Sequence, residues 1–183
     1  MAYITTIFDQ MVQFSLRLDF KSIVKAHNGD HRIRTISCWD QFIFLILGQF
    51  SRREYLRETV LSINSLPSEF YHLGSRTIRR SAFSDANNKR QYQIYQDLFY
   101  RLISETLKIA PKHKLKLKRK LLFLDETFID LCLKLFHWAR FRKTKAAIKL
   151  HTLMQADGSL PVFLNITDGK ATRYQKWTTN LFV

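Results

Sequence analysis

The sequence predicts an α+β protein in which a helical amino-terminal part is followed by a short β-meander. Residues 37–50 are apolar nearly all round, which indicates a buried helix, and residues 89–110 carry an apolar stripe at helical spacing. After residue 120 the pattern changes to short apolar runs separated by turn residues, which is typical of strands. Pro111 marks the change, so we expect the helical domain to span residues 1–110.

The chain is strongly basic. Its 183 residues carry 30 Lys and Arg against 15 Asp and Glu, a net charge of +15. Residues 1–110 have a net charge of +5 (15 against 10), and residues 111–183 have a net charge of +10 (15 against 5). This excess predicts a polyanionic partner, most simply nucleic acid. A basic solvated surface or a membrane-surface protein is the alternative.

Cysteine usage and hydropathy predict a cytoplasmic protein. Cys38 and Cys132 lie far apart, and no Cys/His cluster indicates a zinc site or a disulfide framework. We expect no secretory signal, because Asp9 and Gln10 interrupt any apolar region near the start. The longest apolar run, residues 42–48, is too short to span a bilayer, so we expect no membrane segment.

Caps and turns divide the helical part. Residues 5–27 predict two short helices, and Ser37 is the expected N-cap of the helix over residues 37–50. Residues 51–54 begin with serine and end with glutamate, the spacing of a capping box. The next helix is therefore expected to begin there and to end near Asn64.

A turn and a basic segment then predict a helix-turn-helix motif. Residues 71–74 form the expected turn, with Gly74 in a left-handed conformation. Residues 75–81 are predicted as a short basic helix that would place three arginines against DNA. An ordinary helical hairpin without DNA contact is the alternative. The three arginines are Arg76, Arg79 and Arg80.

Asp125 is the candidate catalytic and metal-binding residue. Four apolar residues, 121–124, lead into it and predict a buried strand that ends at the carboxylate. A buried carboxylate is costly unless it is paired, and a metal ion is the usual functional partner. An aspartate that caps the following turn is the alternative.

A basic run, residues 111–120, precedes this strand. It is predicted as a linker that follows the phosphates of a nucleic acid. Its lysine and leucine alternation between Lys114 and Lys118 fits the start of the strand equally well.

Two further strands complete the predicted meander. Residues 147–154 and 160–167 have strand patterns, and Asp157-Gly158 between them is a strong hairpin signal. Residues 138–145 interleave aromatic side chains with cations, which suits a nucleic-acid channel, although a solvated loop is the alternative. The DNA-binding candidates of this half are Arg140, Arg142, Lys143, Lys145 and Lys149.

Several motifs resemble those of insertion-sequence DDE transposases of the insertion-sequence-four type. In the first half they are Gly29-Asp30-His31, Ser37-Cys38-Trp39-Asp40-Gln41-Phe42, Tyr71-His72-Leu73-Gly74 and Ser84-Asp85-Ala86-Asn87. In the second half they are Leu124-Asp125, Ile129-Asp130-Leu131-Cys132-Leu133, Phe141-Arg142-Lys143-Thr144-Lys145, Ile148-Lys149-Leu150-His151-Thr152-Leu153 and Ile166-Thr167-Asp168-Gly169-Lys170. The match covers nearly all of residues 7–170.

The resemblance implies a DNA-binding helical domain followed, over residues 121–170, by the start of a ribonuclease-H-like catalytic domain. Its first strand would carry the first catalytic acid, Asp125. The implied chemistry is two-metal phosphoryl transfer with Mg²⁺, which cuts and joins DNA at terminal inverted repeats. A homodimer and a location on the bacterial nucleoid are further expectations.

The sequence departs from the family after Lys170. In the family the second aspartate and the glutamate lie well beyond this point, and residues 171–177 differ from the usual continuation. We expect a truncation or frameshift near Lys170, a divergent tail over residues 171–183, and a chain that cannot catalyse strand transfer alone.

Local departures concern the neighbours of Asp125. Glu126, Phe128 and Ala146 replace the serine, threonine and glycine that the family commonly has. Strand alternation should point Glu126 away from Asp125, so we do not count it as catalytic. Asp130 is interpreted as structural, and Asp168 as part of a turn.

Three other interpretations stay open. The chain could be a non-catalytic DNA-binding protein or repressor derived from a transposase. It could be a pseudogene product that does not fold, with residues 160–167 as an aggregation-prone edge. A basic RNA-binding protein is the last alternative, although no RNA-binding signature occurs.

Overall fold

A computed structural model describes residues 16–65, 67–109, 121–131, 139, 146–156 and 160–170. The chain forms two compact units, Met1–Phe99 and Tyr100–Val183. Several predictions concern residues outside the described ones. These are the first of the two predicted amino-terminal helices, the linker over residues 111–120, the Asp157-Gly158 turn, the tail over residues 171–183, and the candidates Arg140, Arg142, Lys143 and Lys145. The predicted boundaries of the linker therefore stay predictions.

The described residues fold into six helices and one three-stranded sheet, which confirms the α+β prediction. The boundary between the two units lies within the last helix. The helices are α1 (Leu16–Ala26), α2 (Cys38–Phe50), α3 (Leu56–Asn64), α4 (Pro67–His72), α5 (Arg80–Lys89) and α6 (Gln93–Ile109).

Helix α2 is the buried centre of the helical unit, and its N-cap is the predicted Ser37. The Ser37 hydroxyl accepts a hydrogen bond from the backbone N–H of Asp40, and the Asp40 carboxylate accepts one from the backbone N–H of Ser37. This reciprocal capping box satisfies two donors that a helix start leaves open. Aromatic and aliphatic side chains of α1, α3, α4, α5 and α6 pack around α2. Helix α2 contributes Phe42 and Phe44, and the other helices contribute Phe20, Val60, Phe70, Phe83, Ile94 and Leu98.

The capping box predicted over residues 51–54 is wrong. Ser51 ends α2 instead of starting α3, because Arg52 adopts a left-handed φ of 52° and turns the chain. The backbone N–H groups of Arg52 and Arg53 donate to the carbonyls of Gln49 and Gly48, a Schellman ending. Helix α3 then begins after Tyr55, without a side-chain cap.

The short basic helix predicted over residues 75–81 is also wrong. Gly74 has the expected left-handed φ of 65°, but the chain continues without regular structure to Arg79. The side-chain amide of Asn64 donates to the carbonyl of Ile78 and accepts from its N–H, at 2.8 and 3.1 Å. These bonds hold the segment away from helical geometry, so helix-turn-helix is not the arrangement here. The following helix, α5, was not predicted.

The three strands form the predicted meander. They are β1 (Leu122–Leu131), β2 (Ala146–Gln155) and β3 (Leu160–Asp168), antiparallel and in the order β1-β2-β3. A bulge between Leu153 and Met154 lies opposite Pro161, which has no N–H to donate to the ladder.

The prediction that Asp125 ends a buried strand is wrong. Asp125 lies in the middle of β1, and most side chains of this strand are exposed, including Phe123 and Phe128. The apolar run over residues 121–124 therefore belongs to a strand that has an exposed face in the described part of the chain.

Buried ionisable groups make the helical unit sensitive to high pH. Cys38 is 0% exposed, and burial raises the pKa of its thiol from 9.0 to about 12. Burial likewise raises the pKa of the Tyr95 hydroxyl. Because the thiol of the unfolded chain ionises more readily, its contribution to stability is complete below pH 9.0 and is lost as pH rises toward 12.

We expect the free energy of unfolding to fall between pH 9 and pH 12, and to fall less steeply in Cys38→Ala, which keeps the contribution of Tyr95 but loses that of Cys38. Urea unfolding followed by circular dichroism at a series of pH values measures both slopes. Equal slopes for the two proteins would contradict the assignment.

Candidate functional site

Asp125 presents its carboxylate on an exposed face of the sheet. It lies opposite Thr152 of β2, and directly opposed residues of an antiparallel pair share a face. Thr127, two residues further along β1, lies on the same face, and its hydroxyl donates to the Asp125 carboxylate at 3.2 Å. This environment leaves the carboxylate accessible to solvent.

Glu126 points to the opposite face, as strand alternation predicts. Its side chain is 12% exposed, and its Oε1 lies 3.3 Å from Nδ1 of His151, the residue opposite it on β2. His151 is itself 3% exposed, and its Nε2 lies 2.9 Å from the hydroxyl of Thr167 on β3. Glu126, His151 and Thr167 thus form a polar cluster that connects all three strands.

The carboxylate of Asp125 is a hard oxygen ligand of the kind that Mg²⁺ prefers. Within the described residues, however, no group of three His, Cys, Asp or Glu side chains could hold a metal ion. Asp130 lies on the opposite face from Asp125, and Asp168 is the last residue of β3 and is followed by a turn. The described residues therefore supply one ligand and do not by themselves fit a two-metal centre.

Lys149 and Asp125 point to opposite faces of the sheet. Lys149 lies opposite Phe128, and its Nζ is 5.0 Å from the centroid of that ring, within the range of a cation–π contact. The structure therefore does not bring this predicted DNA-binding residue together with the predicted catalytic residue.

The three arginines predicted to contact DNA have different environments. Arg76 donates to the carbonyl of Thr35 at 2.7 Å, and its Nε lies 3.8 Å from the Asp40 carboxylate. Arg79 is the N-cap residue of α5 and lines a cleft, whereas Arg80 is exposed at the first position of that helix. Arg76 thus supports the fold, and Arg79 faces a concave surface.

This cleft lies in the helical unit and has a volume of about 550 Å³. The turn after α1, the segment before α2, helix α5 and the start of α6 line it. Among the described residues, its charged lining includes the cations Arg34, Arg79, Lys89 and Arg90 and one carboxylate, that of Asp85. We call it the basic cleft.

Arg90 connects the basic cleft to the start of α2. Its guanidinium donates to the carbonyls of Ile36 and Ser37 and to the side-chain oxygen of Gln41. It also lies 3.9 Å from the carboxylate of Asp30, which in turn accepts from the backbone N–H of Cys38. With its side chain 8% exposed, Arg90 is a structural residue rather than a free cation.

Sequence reasoning missed most of this cleft. His27, Arg34, Lys89 and Arg90 come from three segments that only the tertiary fold brings together. The one available signal was the absence of acids from residue 31 to residue 39, a stretch that contains Arg32 and Arg34.

Comparison with known proteins identifies part of the helical unit. Residues 4–76 match the family model of a domain of unknown function, DUF4372. The match includes α1 to α4 and ends at Arg76. No curated protein and no solved structure matches the chain. None of the helices in the described part of the chain has both the length and the apolar character needed to cross a membrane.

The sheet offers a test that separates a functional carboxylate from a structural one. Asp125→Asn should change the free energy of unfolding by no more than about 0.5 kcal/mol, because the side chain is exposed. Glu126→Ala should cost roughly 1–3 kcal/mol, because it removes a largely buried partner of His151. Amide hydrogen exchange of β2 measures both effects. A larger loss of protection in Asp125→Asn would show that this aspartate is structural.

Proposed function

We propose that the chain is a DNA-binding protein of the transposase class, related to DDE transposases of the insertion-sequence-four type. The observation that carries the proposal is the antiparallel β1-β2-β3 meander with Asp125 in the middle of its first strand. A ribonuclease-H-like catalytic domain, as the sequence resemblance implies, begins with such a meander and carries its first acid on the first strand.

The orientation of Asp125 supports this assignment. Its side chain is exposed and accepts one hydrogen bond, from Thr127, while the adjacent Glu126 is committed to the face that holds His151. A carboxylate that must share metal ions and a DNA strand has to be accessible in this way. Asp125 would act as one oxygen ligand of Mg²⁺.

A second candidate function is DNA binding without catalysis, as in a repressor derived from a transposase. Two-metal phosphoryl transfer needs several carboxylates around the ions, and the described residues bring no such group together around Asp125. The basic cleft of the helical unit and the net charge of +15 both favour binding to a polyanion. A homodimer and a location on the nucleoid stay predictions under either function.

Specific retention of duplex DNA tests both functions. We expect the purified chain to bind a duplex that carries the inverted repeats flanking its gene more tightly than a scrambled duplex of the same composition. The comparison is made near 0.2 M salt, where sequence-independent phosphate binding weakens. Equal retention of the two duplexes, or preference for RNA of the same sequence, would contradict the proposal.

Strand transfer tests whether the chain is catalytically complete. We expect no Mg²⁺-dependent strand transfer by the purified chain, because one carboxylate cannot hold two metal ions. The Asp125→Ala variant should retain the flanking duplex as well as the unchanged chain does. Strand transfer that is present in the unchanged chain and lost in Asp125→Ala would show instead that the chain is a complete enzyme.

A further inference from the structure

The cations of the helical unit divide into those that hold the fold and those that do not. Arg76 and Arg90 donate to backbone carbonyls of the segment before α2. Arg34, Arg79 and Lys89 line the basic cleft and are exposed, and their side chains have no ion-pair or hydrogen-bond partner within the described residues. These three cations are therefore available to an anion that enters the cleft.

The start of α5 is built in a way that favours an anion. Arg79 occupies its N-cap position without a side-chain cap bond, Arg80 follows it, and the first turn contains no acid. Cations are disfavoured at a helix N-terminus, where the helix dipole is positive and acidic or short polar side chains are usual. Residues that oppose a local rule without a structural gain are expected at functional positions. A phosphate bound at this position would offset the unfavourable interaction of these arginines with the helix dipole.

The same cleft also has an apolar surface. The accessible apolar lining consists of Ile33 and of Ala82 and Ala86 of α5, whereas the lining residues Ile36 and Ile94 are almost completely buried. The imidazole of His27 lines it as well and is fixed by Asp97, with 2.6 Å between Nε2 and Oδ2. Nucleic-acid-binding proteins use apolar, histidine and arginine surfaces to stack unpaired bases. Cationic and apolar surfaces thus meet within one cavity.

This combination excludes an intact duplex as the best occupant. A duplex presents phosphates and sugars on its outside, so the apolar lining would have no partner. An unpaired nucleotide brings a phosphate and an exposed base face together. A cavity of about 550 Å³ lies in the range of small-ligand pockets and not of a groove for a double helix.

We propose that the basic cleft binds an unpaired nucleotide of a DNA strand, with its phosphate at Arg34, Arg79 and Lys89 and its base against His27 and Ile33. The inference deepens the proposed DNA-binding function and rests on it. It assigns to the helical unit a preference for strand ends or opened duplex over fully paired DNA.

Paired substitutions of equal charge test the proposal on the full chain. The cleft variant is Arg34→Ala with Lys89→Ala, and the control is Arg53→Ala with Arg57→Ala, two exposed arginines outside the cleft. Fluorescence anisotropy measures binding of a single-stranded DNA of about eight nucleotides and of a blunt duplex. Alkylation of the buried Cys38 in a Cys132→Ser background verifies that each variant is folded.

We expect the cleft variant to lose roughly tenfold more single-strand affinity than the control, with a shallower salt dependence. The blunt duplex should lose affinity equally in the two variants. Equal single-strand losses in the two variants, or a cleft variant that weakens duplex and single strand alike, would overturn the inference.

The two proposals fail in different ways. If the unchanged chain retains its flanking duplex but the cleft variant behaves like the control, only the cleft assignment fails. If the unchanged chain retains neither the duplex nor the single strand, the proposed function fails and the cleft assignment fails with it.

Discussion

The helical unit depends on the hydrogen bonds that the buried carboxylate of Asp40 accepts. Asp40 is 4% exposed and accepts hydrogen bonds from the backbone N–H and hydroxyl of Ser37 and from the hydroxyl of Ser75. A charge this deep is tolerated because its oxygens are hydrogen-bonded and because it lies at the positive start of α2. The same oxygens therefore cap the central helix and tie the segment after Gly74 to it. That segment ends at Arg79, so the position of the basic cleft follows from the Asp40 contacts.

The surroundings of Asp40 also show why net charge cannot identify a binding site. Arg76 and Arg90 secure the segment that leads into α2 by donating to the carbonyls of Thr35, Ile36 and Ser37. A guanidinium with several donors in a fixed plane suits such a role better than an ammonium group. The net charge counts Arg76 and Arg90 in the same way as the exposed arginines of the basic cleft. Only their contacts distinguish a cation that completes a hydrogen-bond network from one that faces an open cleft.

Most parts of the fold that follow from local rules could be predicted, with the capping box over residues 51–54 as an exception, and the parts that depend on tertiary contacts could not. Ser37 as a cap, Gly74 in a left-handed turn and the three strands are fixed by neighbouring residues. The segment 75–79 resembles a helix locally, but the amide of Asn64, which is 14 residues distant from Ile78, takes over its backbone bonds. Helix α5 contains few helix-forming residues and one buried side chain, Phe83, so packing rather than propensity explains it. The basic cleft was missed for the same reason, because its residues are distant in sequence.

The two adjacent acids of β1, Asp125 and Glu126, show how the geometry of a strand limits which side chains can share a site. Alternation must place Asp125 and Glu126 on opposite faces, so at most one of them can share a site with any given neighbour. The face of Glu126 is occupied by His151 and Thr167, a polar cluster that spans the sheet at its central strand. If the Glu126 carboxylate turned away from this cluster to bind a metal ion, the buried His151 would lose its partner, and this loss would cost free energy. Among the described residues, Asp125 has no comparable commitment, since its hydrogen bond there comes from the exposed Thr127. Of these two adjacent acids, Asp125 is therefore the one that stays accessible to a ligand, for a reason that is independent of the sequence resemblance.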